Sequence, residues 1–122
     1  MFEDKLASFL RTWPGLAALE GERVYPEELP ELPVLPAMVF HEVSCVPTYS
    51  HGGDSGLDEA VMQFSCWGNS PRDAKRMADA LRDALPAKVY WQSAFIELRF
   101  ARPDAETGLS REVVMVRFQI GR

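Results

Sequence analysis

The chain has 122 residues, 47% of them hydrophobic and 25% charged, with a formal net charge of -5. That length holds one domain with a real core. The acidic balance argues against duplex nucleic acid as a tightly held ligand, because phosphate binding draws on clustered Lys and Arg, although an acidic wall past which nucleic acid slides stays compatible with it.

Residues 2 to 12 carry one apolar stripe, Phe2, Leu6, Phe9, Leu10 and Trp13, at helical spacing. Pro14 stops or kinks that helix. "PGLAALEG" predicts one further turn before Gly21, closing an N-terminal helical segment at residues 1–21. "RVY" predicts a short strand. A proline-rich arm follows over residues 26–36, with Pro26, Pro30, Pro33 and Pro36. Each proline fixes φ and removes a backbone donor, so the arm is neither helix nor central strand. The residue before each proline is pushed towards extended geometry, which predicts a stiff connector.

From Ala37 to Pro47 the pattern is that of a strand, with Met38 and Phe40 on one face and Val39, Val43 and Cys45 on the other. "SHGGDSGLDE", residues 50 to 59, predicts a polar, flexible hairpin tip. Ala60 to Trp67 resumes the strand, with Met62, Phe64 and Cys66 facing one way. Residues 70–85 predict a second helix. Ser70 suits the N-cap, Pro71 the first helical position and Asp73 the first turn. Its buried stripe is Ala74, Met77, Ala78, Leu81 and Leu85, and Pro86 ends it. Arg72, Lys75, Arg76, Asp79, Arg82 and Asp83 form the wet side. Two more strands follow, one with Phe95, Ile96, Leu98 and Phe100, the other with Val114, Val116, Phe118 and Ile120. The expected fold is α+β, a single domain over residues 1–122, with a mainly antiparallel sheet and two helices packed on one face.

Chemistry is sparse. His41 and His51 are the only histidines. His51 stands near Asp54 and Ser55 in a glycine-rich loop, with no scaffold to fix a triad. "HGGDSG" lacks the Gly-Lys-Ser/Thr ending of a phosphate loop, and no helix follows it at once. His41 has no partners at metal-ligand spacing and reads as a half-buried strand residue. Asp79 and Asp83 sit among Arg and Lys and read as a solvated face. Trp13, Trp67 and Trp91 read as core or interface anchors. Cys45 and Cys66 lie on separate strands, too few for a disulfide framework or a zinc site, and are expected to be small buried or half-buried hydrophobes. No apolar run reaches the ~18 residues of a membrane span. The acids in "MFEDKLASFL" do not fit a signal peptide, so the protein is expected to be made on the cytoplasmic side. No catalytic residue, cofactor site or metal site is expected.

The layout resembles the tail-completion proteins, or tail terminators, of long-tailed phages and gene-transfer particles. The residues that carry the likeness are "LAALEGERVYP" at Leu16 to Pro26, "LPAMVF" at Leu35 to Phe40, "VMQFSCWGNSPRDAKRMADALRDAL" at Val61 to Leu85, and the terminal hairpin. Order and spacing carry it rather than one motif. Ala37 stands where the family has an aromatic, and the proline arm is richer than usual. The resemblance implies a structural, non-enzymatic protein: a homo-oligomer, a hexameric ring, on the end of the tail tube. It implies as partners the tail tube protein and a head–tail connector or stopper protein. DNA passes through the lumen, no membrane is involved, and the location is the virion tail or neck after assembly in the host cytoplasm. Another neck component, a stopper or adaptor ring, is the alternative reading; a small hydrolase or ligand-binding domain using His51 and Asp54 is the remote one. Pro26, Pro30, Pro33, Tyr49, His51 and Asp54 are the candidate subunit or tube contacts, because a rigid arm loses little entropy on docking and a glycine-rich tip can order against a partner.

Overall fold

The computed structural model describes residues 2–20, 23–26, 34–50 and 52–121. The N-terminal segment is two helices, α1 (Phe2–Thr12) and α2 (Pro14–Glu20). Pro14 lacks the amide that would continue α1, so it opens α2 instead. The break stays compact because the Trp13 carbonyl accepts from the Leu16 and Ala17 amides at 3.0 and 2.8 Å.

A five-stranded sheet follows: β1 (Val24–Pro26), β2 (Ala37–Ser50), β3 (Gly53–Gly68), β4 (Ser93–Ala101) and β5 (Ser110–Gly121). Their spatial order is β1-β2-β3-β5-β4. β1 runs parallel to β2, and every other pairing is antiparallel. Helix α3 (Pro71–Ala84), with a 3-10 turn at Leu85–Ala87, carries the chain from β3 to the edge strand β4. This is the expected α+β fold, with a mainly antiparallel sheet.

One face of the sheet is apolar and covered by the helices. Met38, Phe40, Met62, Phe64, Cys66, Val114, Val116 and Phe118 are buried there, beneath Leu6, Phe9 and Leu10 of α1, Leu16 of α2, and Met77, Ala78 and Leu81 of α3. Each Val, Leu, Phe or Met among them stabilises the fold by roughly 1.5–3 kcal/mol relative to exposure. Phe118 lies at the centre of this layer, with ring centroids 5.3 Å from Phe2, 5.3 Å from Trp91 and 6.2 Å from Phe64. The Trp91 indole is satisfied too, donating to the Leu85 carbonyl at 3.0 Å.

Two expectations need correction. Residues 53–59 are strand, not a loose tip: Gly56, at φ 80°, lies within the register shift between Pro47 and Tyr49, and Gly53, at φ 110°, pairs with Ser50 at the end of the ladder. Glycine enters that region at no steric cost, so the ladder bulges rather than ends. Cys66 is buried as expected, but Cys45 is exposed. A second register shift between Glu42 and Ser44 flips the alternation of β2 and sets Cys45 opposite buried Ala60, yet Cys45 stays exposed because it lines the groove at this end of the sheet.

Candidate interaction surfaces

β2 and β3 outrun the rest of the sheet. β5 ends opposite Leu57, with Gly121 as its partner, so residues 48–50 and 52–56 belong to the projecting part of the hairpin. The Thr48 hydroxyl meets the Ser55 hydroxyl at 2.5 Å and donates to the Leu57 carbonyl at 3.1 Å, while Ser55 Oγ donates to the Thr48 carbonyl at 3.0 Å. These bonds tie the two strands across the bulge. Tyr49, on this projection, is 71% exposed.

The second surface is the sheet face opposite the helices. No described helix covers it, yet it is not polar throughout. Phe95 is 62% exposed and Leu98 54%, with Val43 and Val46 also open. Arg117 crosses this face and bonds to both Glu59 and Glu97, on the two strands that flank its own. At the lower end of the face, the Arg111 guanidinium lies 4.7 Å from the Trp67 ring centroid. Burial and the nearby charge of Arg102 pull the Arg111 pKa down.

The third surface is a groove of about 720 Å³ at the end of the sheet where α1 begins, lined by Phe2, Glu3 and Lys5, by Glu42, Cys45 and Asp58 of the hairpin, and by residues 89–92 and 120–121. At the opposite end of the domain, the start of α3 presents Arg72, Lys75 and Arg76, all exposed. Between them, Arg99 joins Asp79 of α3 at 2.8 Å to Glu112 of β5 at 3.3 Å. Burial opposes the Arg99 charge, but the Asp79 and Glu112 carboxylates outweigh it and raise the Arg99 pKa.

The residues anticipated from sequence fall in two places. Tyr49 and Asp54 are register partners across the hairpin. Pro26 ends β1 opposite Phe40. Nine steps along β2 lead from Phe40 to Tyr49, about 30 Å of strand. The structure therefore does not gather the candidates into one site. Pro30, Pro33 and His51 lie outside the described residues. The two ends of the proline stretch nevertheless sit at one sheet edge: β1 pairs with Met38 to Phe40, and Arg23 donates to the Pro36 carbonyl at 2.9 Å and the Leu19 carbonyl at 3.0 Å. Sequence reasoning missed Phe95, Leu98 and the groove. Apolar residues on both faces of β4 were the available signal for the first; the groove joins residues too distant in sequence to show any.

Among the described residues no group of three or more His, Cys, Asp and Glu side chains could hold a metal ion. No helix is long and apolar enough to cross a membrane.

The family model described as tail completion protein gp17 matches residues 4–121. A chain from the virion of a native gene transfer agent (GTA) particle shares the fold, with a TM-score of 0.74 and 21% identity over 94% of this chain and 90% of that one. No curated protein matches the sequence. The molecule is a structural component of a phage-like virion tail. Within that class, the chain belongs to the tail completion protein gp17 family.

Proposed function

We propose that this protein forms a hexameric ring that caps the tail tube, ends its polymerisation and offers the head a surface to dock on. The observation that carries the reading is the family match across residues 4–121. The projecting hairpin and the open sheet face support it, since a subunit that works in an assembly needs surfaces left for its neighbours. Its partners on this reading are other copies of itself, the tail tube protein and a head–tail connector or stopper. DNA only passes through the lumen, and the protein performs no catalysis. Pro26, Pro30, Pro33, Tyr49, His51 and Asp54 are contacts to neighbours or tube on this reading.

Immunogold labelling of intact particles tests the location. Label at the junction of head and tail is expected; label along the tube or at its distal end contradicts the reading. Deleting residues 27–33 tests the arm separately. Loss of assembly in a chain with native thermal stability is expected, and undisturbed assembly removes the arm from the contact.

A further inference from the structure

We propose that the acidic groove at the α1 end of the sheet receives the cationic first turns of α3 from a second copy of this chain. The inference rests on the ring reading and gives it a specific contact.

The groove pairs charge with apolar surface. Glu3, Glu42 and Asp58 line it, and among its described lining residues Lys5 is the one cation. Val89 and Tyr90, both exposed large apolar side chains, form part of its wall, with Ile120 at the end of β5. An occupant that satisfies both features carries clustered positive charge on a firm scaffold. This chain has such an element. Arg72, Lys75 and Arg76 stand at i, i+3 and i+4, so they share one face of α3. All three are exposed, and among the described residues none of them makes an ion pair. Arg82, Arg99 and Arg117 all do. Asp79, one turn further along α3, is already held by Arg99 and Arg82.

The geometry then fixes how copies associate. α3 has 14 residues, about 21 Å at 1.5 Å per residue. The cations occupy its first turns, while the groove lies beyond its last turn, at residues 89–92. A surface at one end that complements a surface at the other is heterologous. It repeats head to tail and closes into a ring when the rotation allows. Contact between two like ends would set carboxylates on carboxylates or guanidinium on guanidinium, so the same charges select the direction of assembly. Because the charges sit at the surface, the contact weakens as salt shortens the Debye length. On the open sheet face Arg117 is already neutralised by Glu59 and Glu97.

The experiment uses two charge reversals on the full chain. One variant carries Arg72→Glu with Arg76→Glu, the other Glu3→Lys with Glu42→Lys. Wild type, each variant, their equimolar mixture and the fourfold variant are compared by native mass spectrometry and light scattering, with and without tail tube protein. Each variant alone is expected to self-associate at least about tenfold more weakly. The mixture and the fourfold variant are expected to regain assembly, because both carry complementary ends again. Single variants that assemble like wild type overturn the contact and leave the ring standing. So does a mixture that stays dissociated. A wild-type chain that stays monomeric under every condition overturns the ring and the contact together. Thermal unfolding of each variant checks the fold. If a reversal unfolds the chain, the neutral Arg72→Gln/Arg76→Gln and Glu3→Gln/Glu42→Gln variants replace it, with the same order of weakening expected and its absence overturning the contact.

Discussion

Glu112 has only 8% of its side chain exposed, on the helix-covered side of β5, and Arg99 is its partner. Removing one member of such a pair strands the other charge away from water, which costs far more than the net worth of the pair. Arg99→Met is therefore expected to destabilise the protein by about 3 kcal/mol. The double variant with Glu112→Met is expected to lose less, and urea unfolding of the three proteins measures both. Gly68 is constrained for a different reason. A Cβ there would stand 2.8 Å from the Ala74 amide nitrogen and 2.8 Å from the Asp73 Cβ, at the start of α3. Backbone cannot swing aside as a side chain can, so Gly68→Ala is expected to cost about 2 kcal/mol, read as a lower urea midpoint with unchanged slope.

Helix α3 is the element the sequence specified most fully. Ser70 takes extended geometry and its hydroxyl accepts from the Asp73 amide, Pro71 opens the helix, and all five anticipated stripe residues are buried. Ser70→Ala is expected to cost about 1 kcal/mol, measurable by thermal unfolding. α1 was equally readable, since its stripe has helical period. The hairpin was readable only in part. Alternation marked β2 and β3, but bulges at Glu42/Ser44 and Pro47/Tyr49 reset the parity, and strand content in residues 53–59 was hidden by Gly53 and Gly56. Sheet order was hidden as well: β5 sits between β3 and β4, a choice made by the α3 crossover rather than by any local signal. The β4–β5 turn was legible as a turn, and its chemistry makes a pH prediction. Asp104 accepts from the Thr107 hydroxyl at 2.7 Å and the Glu106 amide at 3.2 Å, which hold its pKa below the ordinary carboxylate value. A depressed folded pKa gives stability that is present above the unfolded value and is lost as pH falls through the folded one. The turn should therefore stay ordered at neutral pH and loosen only below about pH 4. Exchange of the Gly108 amide, bonded to the Asp104 carbonyl at 2.9 Å, reports it. Asp104→Asn should remove the acid step.

The charge layout of the molecule as a unit was not readable from a net value of -5. Folding places Glu3, Glu42 and Asp58 around one groove and leaves Arg72, Lys75 and Arg76 together at the other end. A helix-covered core on one side of the sheet, a partly open face on the other and a hairpin reaching past β5 describe a part built to meet other parts. The most direct measurement of the terminator role is electron microscopy of particles from a producing strain that lacks this gene. Filled heads without tails, beside free tubes of uncontrolled length, are the predicted result. Joined particles with tubes of normal length would contradict it.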